Sequence, residues 1–244
     1  AGYGRQISVG HCGTLDPLAT GLVIICVGRS TRLVQLIQEQ AKTYTGTFQL
    51  GCVTSTDDST GEILCETAID PEVVSRQTIN DLLPEFTGRI EQVPPKFSAV
   101  HVNGQRAYKL ARQGREVELS PRPVQIHRLE LTEIELPEFQ LQIDCGSGTY
   151  VRSLGRDIGE RLGCGATMTA LTRSAIGSFS LDNAVRPENL NPENIESLVQ
   201  SPTKAVEHLP SFRISEQQKE RVYDGRPIEI GEAEQLDDLS PRND

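Results

Sequence analysis

The chain has no long hydrophobic run. Its clearest apolar stretch, residues 22–27, is six residues long, against the 20 or so that a membrane-crossing helix needs. A basic-apolar export segment is not expected at the start. Six cysteines (12, 26, 52, 65, 145 and 164) form no C-x-x-C pair, and His11, His101, His127 and His208 are scattered. A zinc site is therefore not expected. An even cysteine count hints at disulfides, but a chain of 244 residues without an export signal favours reduced thiols and a cytoplasmic setting. There is no internal repeat and no phosphate-cradling glycine loop. What remains is a globular protein of one or two domains with enough chain for a substantial core.

Charge is unevenly spread. The net charge of −10 argues against casual nucleic-acid binding. However, residues 182–244 hold seven Lys or Arg against fourteen Asp or Glu, whereas residues 76–130 hold nine against six. The basic segment includes Arg106, Lys109 and Arg112 at helical spacing. These side chains are either a solvated face or a surface for phosphates.

Patterning predicts a mixture of helices and strands without strict alternation, which is the α+β class. Residues 22–27 read as a buried strand. Ser30 is placed to cap a helix over 31–39, and Ser75 one that runs to about 86, bent or ended by Pro84. Residues 42–50 read as a strand, 54–61 as a polar loop, and 96–102 as extended chain after Pro94-Pro95. A helix over 106–113 ends at Gly114. Residues 123–136 and 138–145 read as a long antiparallel pair around Pro137. Thr149 is placed to cap a helix over 150–162, and strands follow within 167–181. A boundary falls between about 182 and 210. Beyond it, Ser215-Glu216-Gln217-Gln218 has the form of a capping box.

The most informative stretch is Gly10-His11-Cys12-Gly13-Thr14-Leu15-Asp16-Pro17-Leu18-Ala19-Thr20-Gly21. Pro17 biases Asp16 toward an extended conformation. Asp16 is thus either a carboxylate held on a tight loop, a common position for catalysis, or part of an Asp-Pro turn without chemistry.

These twelve residues resemble the signature loop of the TruB family of tRNA pseudouridine synthases. Further blocks follow in the family's order. Lys42-Thr43-Tyr44 resembles its Lys-x-Tyr strand, and Gly51, Thr54, Asp58 and Gly61 resemble its next segment. Residues 93–99, 104–114, 145–152 and 162–166 continue the match, with Leu171 and Arg173 just beyond. The likeness covers about residues 9–180. It implies a pseudouridine synthase fold, a mixed and largely antiparallel sheet flanked by helices, over residues 1–182. Family members carry a strand and a Lys-Pro-x-Gly block before the signature loop, where this chain has nine residues before Gly10. Residues 183–244 would be a linker and a partial RNA-binding extension of the PUA type.

The resemblance also assigns roles. Asp16 would be the nucleophile that isomerises uridine 55 in the tRNA T loop, and attack at the ring or at the sugar would use the same carboxylate. Isomerisation needs no redox step, no ATP and in principle no metal, so no cofactor is expected. Arg152 falls in the first turn of its expected helix, where a cation opposes the helix dipole. It either swings into water or pairs with an anion, and the family pattern supplies Asp16. Tyr44 on its strand reads as core packing from pattern alone; the resemblance makes it the platform under a flipped base. Tyr150 and Leu171, otherwise core residues, would line the uracil pocket. His11 would hold the remodelled T loop, and Asp58 would contact RNA or cap its turn. Ser147 stands where bacterial relatives commonly have Lys. The expected partner is the tRNA T-arm, bound by a monomer. The alternative function is an RNA-binding, tRNA-folding module whose catalysis is dispensable.

Overall fold

The computed structural model describes residues 7–102, 104–115, 118–228 and 234–236. The chain divides into two units, Ala1–Asn189 and Leu190–Asp244. In the first, β1 (Val9–His11), β2 (Thr20–Gly21) and β3 (Ile25–Val27) frame the Asp16 loop. After α1 (Val34–Glu39) comes the nine-residue β4 (Lys42–Leu50). β5 (Cys52–Thr54) and β6 (Ile63–Glu66) form a ribbon, and α2 (Arg76–Leu82) precedes β7 (Gly88–Gln92). β8 (His101–Val102), β9 (Gln105–Arg106) and α3 (Ala107–Arg112) make an excursion. The hairpin β10 (Arg122–Glu135) and β11 (Glu138–Cys145), α4 (Val151–Arg161), β12 (Ala166–Ile176) and β13 (Phe179–Ser180) complete the unit.

The main sheet runs β13-β12-β4-β11-β10-β7, antiparallel along that path, with β2 parallel to β12. It is the mixed, largely antiparallel sheet that the family resemblance implies. The period of two in β4 decides its faces. Phe48 and Leu50 are buried, while Thr43 and Thr45 on the other face donate to Asp144 and Gln142 of β11 at 2.7 and 3.1 Å. Leu154 and Ile158 of α4 enter the same core as Phe48, Phe139, Leu141 and Ile143. Phe48 and Phe139 stack with ring centroids 5.2 Å apart, an arrangement worth about 0.5–1.5 kcal/mol beyond burial.

Two glycines let α4 sit close to the sheet. A Cβ on Gly155 would overlap the Phe48 ring, and one on Gly159 would overlap the backbone of Ala166. Glycine in a helix interior costs roughly 0.5–1 kcal/mol relative to Ala, so the close approach is what keeps it there. It sets the depth of α4, and hence of Arg152 at its start.

Some local expectations are corrected. Residues 22–27 are not a continuous buried strand: Leu22 and Cys26 are buried, whereas Val23, Ile25 and Val27 are exposed. Only Ile25–Val27 is strand, because it pairs with one neighbour, β1. Ser30 does not cap a helix; it lies inside a 3-10 turn, Gly28–Leu33, that precedes α1. Thr149 donates back to the Gly146 carbonyl at 3.0 Å, and Tyr150 occupies the N-cap of α4 without a capping side chain. Ser75 does cap α2, accepting from the Thr78 amide, and Pro84 marks the 3-10 turn that ends it.

In the second unit, α5 (Ile195–Leu198) precedes β14 (Ser211–Arg213), α6 (Glu216–Tyr223) and β15 (Glu234–Leu236), with β14 and β15 antiparallel. Ser215 and Gln218 form the expected reciprocal capping box at α6.

Candidate active site

The loop after β1 is pinned at several points. The Cys12 amide donates to Ile24 O at 2.9 Å, and the Ala19 amide closes a turn onto Asp16 O at 2.8 Å. The Leu22 amide reaches Arg173 O of β12 at 2.8 Å. Gly21 has φ +106, and a Cβ there would strike the Arg173 backbone, so only glycine permits the β2–β12 approach. The result is a carboxylate on a short loop fixed to the main sheet.

Arg152 meets that carboxylate with two parallel bonds, Nε to Oδ2 at 2.9 Å and Nη2 to Oδ1 at 3.1 Å. The fork fixes both planes, which a lysine cannot do. The side chain of Arg152 is 7% exposed and that of Asp16 34%, so the cation stands behind and the carboxylate is open to an incoming ligand. Arg152 is itself held: Nη1 donates to Thr56 O at 3.0 Å and Nη2 to Phe97 O at 3.1 Å. Its second carboxylate is Asp58, whose Oδ2 lies 3.6 Å from Nη1. Asp58 Oδ1 accepts from the Thr56 hydroxyl at 2.7 Å and from the amide and hydroxyl of Thr60 at 3.0 and 2.6 Å. Asp58 is thus buried beneath the site as a support of Arg152, not displayed on its surface.

Tyr44 projects from β4 on the core side, half-buried, within the electrostatic reach of Asp16. Tyr150, at the start of α4, is in the same field. Burial is the main cause that raises both phenols above their ordinary range, so both are protonated, neutral donors at neutral pH. The backbone of Tyr150 is clamped by buried Gln92, which accepts from its amide at 2.8 Å and donates to its carbonyl at 3.1 Å. A cavity of about 140 Å³ beside Tyr150 is lined by Gln92, Pro94, Val100 and Arg122. Leu171 of β12 is buried against the core cluster that Tyr44 also touches.

The remaining residues are further out. His11 is exposed at the end of β1, opposite Ile25. Arg106 and Lys109 are exposed on β9 and α3; Arg112 ends α3, and its side chain lies outside the described residues. The excursion that carries them is tied to the site, because the Ala107 and Tyr108 amides bond Val100 O and Ser98 O, next to the Phe97 carbonyl on Arg152. Sequence reading did not find Gln92 or the support role of Asp58: both depend on contacts made 58 and 94 positions away. Among the described residues, no three or more His, Cys, Asp or Glu are grouped to hold a metal ion, and no helix is long and apolar enough to cross a membrane.

The chain is similar to known proteins over most of its length. Residues 3–151 match the model of the TruB family pseudouridylate synthase N-terminal domain, and residues 152–201 that of the tRNA pseudouridylate synthase B C-terminal domain. The chain is 41% identical over 227 residues to tRNA pseudouridine synthase B of Geobacter sulfurreducens, covering 91% of this chain and 74% of that protein. The protein of the same name from Phocaeicola vulgatus is 43% identical over 199 residues, covering 80% and 84%. A solved Cbf5-Nop10-Gar1 complex contains a similar fold, with TM-score 0.68 and 28% identity over 89% of this chain and 59% of that one. An H/ACA RNP bound to a substrate RNA containing 2′-deoxyuridine shows the same fold, with TM-score 0.69 and 24% identity over 94% and 61%. The chain thus spans about three fifths of these solved chains.

Proposed function

Since the chain belongs to the TruB family of pseudouridylate synthases, we propose that it isomerises uridine to pseudouridine in tRNA, at position 55 of the T loop. The observation that carries this reading is the forked Arg152–Asp16 pair, which presents one accessible carboxylate beside two neutral phenols.

The reaction is redox-neutral. The bond between the base nitrogen and the sugar breaks, the base turns over, and a carbon–carbon bond to the same sugar carbon forms. One proton leaves that ring carbon and one is gained at the freed nitrogen. Asp16 acts as the nucleophile on the flipped nucleotide. Arg152 holds its two oxygens in one plane, so that attack starts from a fixed geometry. Tyr44 stacks on the flipped base, Tyr150 lines the uracil pocket, and Leu171 packs beneath it. No cofactor or metal ion has a step in this scheme.

The T-arm is engaged by the phosphate contacts of Arg106, Lys109 and Arg112 and by His11 at the remodelled loop. Asp58 serves the RNA indirectly, by fixing Arg152. We read residues 1–182 as the catalytic domain and 183–244 as a linker with a partial PUA-like region. The protein acts as a monomer, in the cytoplasm where tRNA is modified. The direct test is incubation with unmodified tRNA followed by chemical mapping of pseudouridine. Product at position 55 supports the reading. Tight tRNA binding by wild type without product leaves an RNA-folding module instead.

A further inference from the structure

Arg173 has no place in the chemistry described above, yet it is the most deeply buried cation near the site, at 2% exposure. Arg152, at 6%, has two carboxylates within 4 Å. Arg173 makes no ion pair among the described residues; its guanidinium is spent on backbone carbonyls. Nε donates to Leu22 O at 2.9 Å, Nη2 to Gly13 O at 3.3 Å and Nη1 to Thr14 O at 3.5 Å. All three acceptors lie in the segment between β1 and β3 that carries Asp16. The backbone of Arg173 adds a fourth tie, accepting from the Leu22 amide. Its β12 position lies opposite Tyr44 of β4 and Gly21 of β2, and its guanidinium is within electrostatic reach of the Tyr44 phenol.

Burying an unpaired charge is expensive, and an apolar side chain of similar size would fill the space more stably. A guanidinium earns its place there by geometry: its planar donors can hold carbonyls on both sides of Asp16 at once. We propose that Arg173 is the positioning residue for the nucleophile loop. It fixes the two ends of that loop against β12, so that Asp16 stands opposite Arg152 and Tyr44 in one arrangement. The inference rests on the proposed reaction, because it assigns Arg173 a role in its rate.

Arg173→Lys keeps the charge and loses the fork; Arg173→Gln keeps two donors and loses the charge. The single-turnover rate on tRNA, tRNA affinity and thermal melting are measured for both and for wild type. The proposal expects the rate to fall by about 100-fold in each, the scale of a 1 Å misplacement. Affinity should stay within about threefold and melting should remain cooperative. Lys should do no better than Gln, because the fork and not the charge is what acts. Wild-type rates in either variant overturn the proposal. Loss of cooperative melting or of tRNA binding in both variants also overturns it, since Arg173 is then part of the scaffold alone. An inactive wild type overturns instead the reading of function.

Discussion

Arg152 and Asp16, 136 positions apart, meet through two parallel bonds of 2.9 and 3.1 Å in which the cation is buried and the anion is partly exposed. This asymmetry separates orientation from contact with a ligand. Arg152→Lys should keep the charge but lose the fork, and slow single-turnover pseudouridine formation by at least about tenfold. Arg152→Ala should slow it further and leave Asp58 buried without its cation, which costs on the order of 3 kcal/mol of stability. Rapid-quench kinetics and thermal melting check both. A lysine variant with wild-type turnover contradicts the role of the fork.

Asp58 is tied to Arg152 on one oxygen and to Thr56 and Thr60 on the other. Asp58→Asn should therefore reduce the rate of the chemical step and leave tRNA affinity unchanged within about threefold, because the side chain is 4% exposed and out of reach of RNA. Filter-binding affinity set against single-turnover rate separates the two. A loss confined to affinity would return Asp58 to the RNA surface.

Gly155 faces the Phe48 ring with no room for a methyl group. Gly155→Ala gains helix propensity but overpacks the core, with a net destabilisation of roughly 1–3 kcal/mol. That corresponds to a fall of several degrees in melting temperature for a domain of this size. Gly163→Ala, where nothing lies near the added Cβ but φ is +76, separates the effect of backbone strain from that of packing. A Gly155→Ala protein that melts at or above the wild-type temperature contradicts the close approach of α4.

The Cys12 thiol is pushed from 9.0 up to about 12, first by burial and then by Cys26, whose sulfur lies 3.4 Å away. In the folded protein it stays protonated at pH 8 and should resist iodoacetamide, whereas exposed Cys65 should react. The unfolded chain releases this proton near its ordinary pKa and the folded chain only near 12. The folded state therefore holds the extra proton between those values. Stability should be unaffected by this group below about pH 8 and should decline as pH rises through that window. Mass-spectrometric mapping of labelled cysteines and melting at pH 8 and pH 10 check it. Equal native labelling of Cys12 and Cys65 contradicts it.

Wherever a local period or a turn residue carries the signal, the sequence already shows the element. The alternation of β4, the hairpin around Pro137 and the caps at Ser75 and Ser215 are of this kind. The meeting of Arg152 with Asp16 is legible only through the family resemblance, because a cation in a first helical turn can equally swing into water. Other features were not legible because distant partners decide them. Ser30 and Thr149 are good capping residues, but the chain enters α1 through a 3-10 turn, and Thr149 bonds backwards to Gly146. Residues 22–27 look uniformly apolar, yet a two-stranded ribbon buries only one side of them. Gly155 and Gln92 have no local signal, and Arg173 shows only as a residue of the family-like pattern, without a role. Phe48, Tyr150 and the Asp16 loop give them their roles, and each lies far away in sequence.

The central claim is that the partly exposed carboxylate of Asp16 performs the chemistry while other groups carry the binding. Asp16→Asn preserves size and hydrogen bonding and removes the charge. Single-turnover conversion of tRNA by this variant, with its sequence confirmed by mass spectrometry to exclude deamidation, is the most direct test. The account predicts no pseudouridine above background and a tRNA affinity within about tenfold of wild type, since phosphate and shape contacts supply most of the binding. Appreciable product from the verified asparagine variant would remove Asp16 from its role.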